Sequence, residues 1–368
     1  MDAITALGSD WRSTWAGLLA GRDGTSSWSA SSSSFAAAAA VAAVEGFDRH
    51  VDLLGRGPAT RMLLEMYRRL QASSPTRVPV HGASNHGETD TLIGLAERLH
   101  GYDKSVAPPS QWWALLVDPL PASLLGNDKG SWLSSACSSG MHALVAAYAG
   151  VLQGGMSNAA VAADALSAIG VVGFARVGAA TQEAARPFLT DRCGLVIGEG
   201  AAALRLDTYG DGPAILGVGL SCDASHPTDP NPDGTYLASA IRDAIGAAGL
   251  PLSDISGIVA HGTATRKNDE AEAAAFRSIW ADNIPPVTSI KRGVGHTMGV
   301  AGLLNVMAAA EALKEGVLPP AVATGQVMAS IDLVRGNPRP ISRNGALIAL
   351  ASGFGGNNAA VLISNKLG

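Results

Sequence analysis

The stretch Ser134-Ser135-Ala136-Cys137-Ser138-Ser139-Gly140 decides the fold. Trp132 to Ala136 reads as a strand running into it, and Met141 to Leu152 reads as the helix running out, starting near Ser138. A strand–turn–helix junction built from small residues points its central side chain at a cavity. It also sets the Cys137 sulfur at a helix N-terminus, where partial positive charge and free backbone N–H groups stabilise a thiolate. Small neighbours leave room for a substrate and for amides that face a developing oxyanion. A lone cysteine is more often a small buried hydrophobe, and Cys193 and Cys222 keep that reading because neither sits at such a turn.

Two imidazoles follow in the chain. His261-Gly262-Thr263-Ala264-Thr265 succeeds the apolar strand Ile258-Val259-Ala260. The C-terminal ends of strands are where α/β sheets place ligand chemistry. Thr263 and Thr265 offer hydroxyls on alternate positions. In Lys291-Arg292-Gly293-Val294-Gly295-His296-Thr297 the second imidazole sits among glycines that let the backbone approach a ligand. Lys291 is a candidate to hold a carboxylate and so position His296. Asp269 and Glu272, on one helix start, are the candidate carboxylates. Near the end, Ser352-Gly353-Phe354-Gly355-Gly356-Asn357-Asn358 lies between two strands. A glycine-rich turn with one bulky aromatic fits a gate and a backbone donor, and also fits an ordinary hairpin.

Around these segments, short apolar runs alternate with alanine-rich helical stretches. Ala159 to Ala163, Gly194 to Leu206, Ala214 to Leu220, Ile255 to Ala260, Ala346 to Ala351 and Ala360 to Ser364 read as strands. Tyr236 to Ala248, Glu270 to Trp280 and Gly302 to Leu313 read as helices. The alternation argues for α/β layers. The strand ending at Leu206 and the fresh start near Ile215 suggest two halves of similar build, 1–208 with Cys137 and 209–368 with His261 and His296. Serine-rich Ser26 to Ser34 reads as a surface loop.

The chain has 368 residues, 47% hydrophobic and 15% charged, enough to bury a sizeable core. A net charge of −5 gives no global pull toward nucleic acid or an anionic membrane. The three cysteines fit no disulfide or zinc framework, so no metal is expected. Met1-Asp2-Ala3-Ile4 lacks the basic region of a signal peptide. The longest apolar run, Phe35 to Val44, is mostly alanine and too short to span a bilayer. It is expected to be a helix packed inside a cytoplasmic protein.

The four chemical segments, in this order, resemble the β-ketoacyl-acyl-carrier-protein synthases, in their Cys-His-His branch. Arg186-Pro187-Phe188, Asp191-Arg192-Cys193-Gly194, Gly198-Glu199-Gly200-Ala201 and Asp223-Ala224-Ser225-His226-Pro227-Thr228 add to the match, as do Leu7-Gly8 and Thr14 to Gly21. The resemblance covers nearly the whole chain. It implies the thiolase fold, two βαβαβαββ halves in a five-layered αβαβα sandwich, normally dimeric. It implies that Cys137 takes an acyl chain from a carrier protein's phosphopantetheine as a thioester, with no cofactor of the chain's own. His261 and His296 would then assist decarboxylation of malonyl-carrier protein. The amides of Cys137 and Phe354 would form the oxyanion hole, Thr263 and Thr265 would hydrogen-bond the pantetheine arm, and Lys291 and Glu272 would support the histidines. Phe354 would be the gate. His296 in Gly-His-Thr separates the chain from thiolases and from chalcone-synthase-like enzymes.

The chain departs from the family pattern in several places. The first strand, before Leu7-Gly8, is largely missing. Asp164-Ala165-Leu166 replaces a Gly-Gly-Ala/Thr-Glu turn, Ser352 replaces a phenylalanine, Asn357 a threonine, and Arg266-Lys267 a proline and an apolar residue. In the loop Val80 to Glu88, polar Asn85, His86 and Glu88 stand where an apolar acyl pocket is usual, which suggests an unsaturated or aryl-bearing chain of a specialised polyene or polyketide pathway. Arg61, Arg68 and Arg69 on one helix, with Arg266 and Lys267, are the basic groups expected to meet an acidic acyl carrier protein. A second reading is a non-condensing chain-length-factor-like partner. A third is a synthase-fold acyltransferase. Retention of Cys137, both histidines and Lys291 favours the condensing enzyme, as a homodimer or as a heterodimer with a related subunit.

Overall fold

Alternation along the strands sets the layers. In the run Asn158–Asp164, Ala160 and Ala162 face one core while Ala159, Val161 and Ala163 face another. In Ala346–Gly353, Leu347, Ala349 and Ala351 face the first of these cores while Ala346, Ile348 and Leu350 face a third. Side chains in a strand alternate between faces, so a strand that is apolar at every position must be covered on both sides. The computed structural model describes residues 1–29, 38–47, 57–73, 76–87, 89, 130–154 and 156–365. Glu88 and residues 30–37 of the serine- and alanine-rich stretch lie outside them.

The first sheet holds β1 (Asp2–Ile4), β4 (Val80–Ala83), β5 (Trp132–Leu133), β6 (Asn158–Asp164) and β8 (Gly200–Leu206), in the order β1-β8-β6-β4-β5. The second holds β9 (Ala214–Cys222), β10 (Ile255–Val259), β11 (Val287–Thr288), β14 (Ala346–Gly353) and β15 (Asn357–Ser364), in the order β11-β10-β14-β15-β9. Numbered within its own half, each sheet runs first, fifth, fourth, second, third. The senses also match. The second strand of each half pairs in parallel with its third and fourth. The fifth pairs antiparallel with the fourth and first. The two halves are one topology used twice.

Eight helices lie among the described residues: α1 (Trp11–Leu19), α2 (Pro58–Ala72), α3 (Ser139–Gly154), α4 (Ala168–Arg176), α5 (Thr235–Ala248), α6 (Arg266–Trp280), α7 (Lys291–Val294) and α8 (Ala301–Glu315). Helices α3 and α8 fill the space between the sheets, where Met141 and Leu144 join Leu303, Leu304 and Met307. Helix α2 covers the outer face of the first sheet. Helices α5 and α6 cover that of the second. The order helix, sheet, helix, sheet, helix is the five-layered sandwich of the thiolase fold. The central pair meets on glycines: a methyl group added at Gly302 would lie 2.6 Å from the Met141 Cβ, and one at Gly140 would lie 2.5 Å from the Gly299 carbonyl oxygen. Both central helices follow the third strand of their half. The segments leading into them, Cys137 in one half and His296 in the other, therefore sit at matching places.

The first strand, expected to be largely missing, is present in short form as β1 and pairs antiparallel with β8. Three further expectations are corrected. Residues 38–44 of the alanine-rich run do not form an internal helix. Residues 38–42 form β3 (Ala38–Ala42), antiparallel to β2 (Ser26–Ser29) and parallel to β7 (Ile197–Gly198). Alanine's helix propensity is a weak preference, and pairing on both sides of β3 overrides it. By the same pairing, the described part of the serine-rich loop is a strand. The third correction falls on Gly194 to Leu206, which is two strands in different sheets, broken at Glu199. That buried carboxylate accepts from Val44 N at 2.7 Å and Leu166 N at 3.0 Å. A short pair, β12 (Val317–Leu318) with β13 (Arg339–Pro340), completes the strands. Among the described residues no helix is long and apolar enough to cross a membrane.

Candidate active site

Strand β5 delivers the chain to Ser134, and α3 begins at Ser139. Between them Ala136 takes a left-handed φ of 53°, the sharp turn that lifts Cys137 toward the cavity. Serine hydroxyls tie the turn down. Ser139 Oγ accepts from Ser135 N at 2.8 Å and donates to Ala136 O at 2.5 Å, and Ser138 Oγ donates to Ser135 O at 2.7 Å. A side chain on Gly353 would strike Ser135 O at 2.7 Å, so the end of β14 closes directly on the turn.

The electrostatics of Cys137 correct an expectation. Burial pushes its thiol up to about 12, although the Lys291 ammonium and the backbone N–H groups of Phe354 and Cys137 itself pull the other way. The helix N-terminus does not by itself make a resting thiolate, because desolvation of the charge outweighs it. The two N–H groups that face the sulfur are the pair the resemblance implies for the oxyanion hole.

His261 follows β10 directly, and His296 follows the short helix α7. Their rings meet edge to face, with centroids 5.2 Å apart and planes at 84°. Burial holds both imidazoles well below the usual histidine range, reinforced by the Lys291 charge. Both are therefore neutral at pH 7 and able to donate one N–H each. The Nδ1 atom of each is buried without a hydrogen-bond partner among the described residues. The backbone of His296 is anchored to β7, its N–H donating to Val196 O at 2.7 Å and its carbonyl accepting from Gly198 N at 2.9 Å.

Behind His261 lies a buried charged group. Glu272 accepts from the backbone N–H groups of His261 at 2.7 Å and Gly262 at 2.6 Å, and from Asn268 Nδ2 at 2.8 Å. Lys291 donates through Nζ to the His261 carbonyl. The expected contact of Lys291 with a carboxylate is thus replaced by one with the backbone that carries His261. Its charge still acts on Glu272, and burial lowers Lys291 to about 8 and raises Glu272 to about 7. Asp269 accepts from Phe188 N at 2.8 Å and Ala264 N at 3.2 Å, and burial raises it to about 6. Asn305, the one buried polar residue of α8, donates to Ala260 O at 3.2 Å and Leu350 O at 2.8 Å, fastening the end of β10 to β14. A lone asparagine in an apolar helix was the signal that could have marked it.

Cys137, His261 and His296 line one cavity of about 520 Å3. Thr263 and Thr265 line it too, their hydroxyls 2.9 Å apart. Arg266 and Lys267 stand at its mouth opposite Thr228 and Asp229, and Lys267 pairs with Asp229. Phe354 is partly exposed and stacks on Phe174, with centroids 5.3 Å apart. Asn85 and His86 do not line this cavity; their backbone N–H groups bind Asp164 instead. Cys193, expected to be a buried hydrophobe, is exposed and lines the cavity mouth, 3.0 Å from the Thr181 hydroxyl. Cys222 is exposed as well. On α2 the basic groups are largely spoken for: Arg69 pairs with Asp2 and Glu65, and Arg61 stacks on Phe47.

Comparison with known proteins gives the family. Residues 131–211 match the beta-ketoacyl synthase N-terminal domain, and residues 213–324 match the C-terminal domain, more than half of the chain between them. The 3-oxoacyl-(acyl-carrier-protein) synthase 2 of Mycobacterium bovis is 34% identical over 247 residues, which are 62% of this chain and 59% of the relative's length. The chain thus spans well under two thirds of that relative. A beta-ketoacyl synthase from Burkholderia phymatum superposes with a TM-score of 0.85 at 25% identity, over 100% of this chain and 98% of the other. The ishigamide ketosynthase/chain length factor gives 0.85 at 26% identity, with the same coverage. The chain belongs to the β-ketoacyl synthase family.

Proposed function

We propose that the protein is a condensing β-ketoacyl-acyl-carrier-protein synthase, an acyltransferase that joins malonyl-carrier protein to an acyl chain held on Cys137. The observation that carries this reading is the meeting of one thiol and two neutral imidazoles on one cavity. In the first step the Cys137 sulfur attacks the thioester carbonyl of an acyl-carrier. The N–H groups of Cys137 and Phe354 receive the oxyanion, the carrier thiolate leaves, and it takes up the proton that the Cys137 thiol gives up. In the second step the carbon–carboxylate bond of the malonyl thioester breaks and releases carbon dioxide. The electron pair passes to the thioester oxygen as an enolate, where the N–H groups of His261 and His296 stabilise it. A neutral imidazole serves as a hydrogen-bond donor there without changing its charge. The enolate carbon attacks the Cys137 thioester, the carbon–sulfur bond breaks, and the freed thiolate recovers a proton from water.

Support for the two arms comes from the cavity's composition. Among the lining residues, the hydroxyls of Thr263 and Thr265 and the charge of Arg266 suit a pantetheine arm, and apolar Phe174, Val177 and Leu195 suit an acyl chain. The partner is proposed to be an acyl carrier protein bearing phosphopantetheine. The protein is proposed to work as a dimer with itself or with a related subunit. The presence of Cys137, His261 and His296 together favours a condensing role over that of a non-condensing partner or a simple acyltransferase. Incubation with acyl-carrier and malonyl-carrier is expected to give carbon dioxide and a β-ketoacyl product two carbons longer, and Cys137→Ala to give no product. Acyl transfer without extension, in the presence of both carriers and any partner subunit, would remove the condensing reading.

A further inference from the structure

Asp164 is fully buried at the end of β6, the fourth strand of the first sheet. In the second sheet the matching strand end is Gly353, next to the Phe354 gate. Among the described residues the carboxylate accepts from one hydroxyl and three backbone N–H groups. Its Oδ1 takes Ser84 Oγ at 2.7 Å and His86 N at 2.8 Å, and its Oδ2 takes Asn85 N at 2.9 Å and Gly299 N at 2.7 Å. A buried anion without a cation is expensive unless its hydrogen bonds are complete, so this arrangement fixes every donor it uses.

The Gly299 bond reaches from one half of the molecule to the other. Gly299 follows His296 by three residues, through Thr297 and Met298. Met298 carries a left-handed φ of 47°, a conformation that an unbranched side chain adopts only when its surroundings impose it. On the N-terminal side, His296 is anchored to β7 through Val196 and Gly198. On the C-terminal side, the described anchor ahead of α8 is the Asp164 carboxylate. The fit is close: a methyl group at Gly299 would lie 2.8 Å from Asp164 Oδ2 and 3.0 Å from Asn85 N.

We propose that Asp164 is a positioning residue for His296, clamping Gly299 so that the Met298 turn holds the second imidazole in place for malonyl decarboxylation. The functional part rests on the condensing reading; the structural part does not. Asp164→Asn keeps the shape, but turns an NH2 group toward donors that need an acceptor. Gly299→Ala keeps the Asp164 carboxylate but crowds it, with the new methyl group 2.8 Å from Oδ2, so it tests the clamp independently if Asp164→Asn fails to fold.

The functional test separates the two chemical steps. In Gly299→Ala loading of Cys137 from acyl-carrier is expected to proceed as in the wild type, and in Asp164→Asn to be no slower, because the charge removed is one that raises the Cys137 thiol. Decarboxylation of malonyl-carrier is expected to fall about 100-fold in kcat with KM unchanged, the size of loss that a small misplacement of a catalytic group produces. The spectroscopic test needs no turnover. In long-range proton–nitrogen spectra of histidine-labelled protein, the His296 ring signals, assigned with a His296→Asn variant, are expected to move in both variants while those of His261 stay. Unmoved His296 signals, or loading and decarboxylation that fall together, would overturn the proposal. A wild-type protein that releases no carbon dioxide would remove the condensing reading and leave the spectra to decide the clamp.

Discussion

His261 and His296 stand edge to face, 5.2 Å between ring centroids, and both are held neutral chiefly by burial. In the proposed reaction a pair of neutral imidazoles at one point supplies two N–H donors to one developing oxyanion. Removing either donor therefore costs the step that builds the enolate. His261→Ala and His296→Ala are each expected to lower malonyl decarboxylation by about 10²–10³-fold, the usual loss for one oxyanion donor. Transfer of an acyl chain to Cys137 should survive in both. Carbon dioxide release and acyl-adduct formation, followed separately, check this; equal loss of both would contradict it.

The thiol gives a pH signature. Alkylation needs the thiolate, and burial has raised Cys137 to about 12. Below that pH the thiolate fraction drops tenfold per unit, so Cys137 is expected to react slowly with iodoacetamide at pH 8 and faster up to about pH 12. Exposed Cys193 and Cys222 should react first at pH 8. Lys291, lowered to about 8, favours the thiolate while it is charged, so Lys291→Met is expected to slow the reaction at pH 7–8 and to matter less as the pH rises above 8. Mass-resolved alkylation rates across pH give the order.

The central helices offer a packing prediction. At Gly302 an added methyl group would meet the Met141 Cβ at 2.6 Å, too close for the pair to stay in place. Gly302→Ala is expected to cost about 1–3 kcal/mol, the range for overpacking a tight core. It should also slow decarboxylation more than loading, because it shifts His296 relative to Cys137. Thermal unfolding with the two assays side by side measures both.

The nucleophile turn depends on Ala136 at a φ of 53°. A β-branched side chain is an outlier in that region. Ala136→Val is therefore expected to abolish acyl loading, while Ala136→Gly keeps it. Intact mass after incubation with acyl-carrier shows the difference, and an acylated valine variant would contradict the account.

Much of this was legible in the residues. Cys137, His261 and His296 stand in segments whose small residues are needed locally, by a turn or a close approach, and local requirements leave marks in sequence. The doubled sheet topology could be suspected from alternating patterns, but strand order depends on pairing between distant segments. Lys291 shows the limit. Spacing placed it near the histidines and could not tell a carboxylate partner from the His261 carbonyl it meets. Residues 38–42 read as helix from sequence because alanine favours helix locally, whereas β2 and β7 pair with them from elsewhere in the chain. Asp164 looked like a mere departure from the family pattern. Its donors come from Ser84 to His86 and from Gly299, far away in sequence, so nothing around it announced a clamp.

In the proposed reaction one thiol does the covalent work and is then relieved by condensation. Intact mass spectrometry of the protein, first with acyl-carrier and then with malonyl-carrier, tests it most directly. A single acyl adduct on Cys137 is expected, disappearing as carbon dioxide and the extended β-ketoacyl-carrier appear. An adduct on another residue, or one on Cys137 that malonyl-carrier leaves untouched with any partner subunit present, would contradict it.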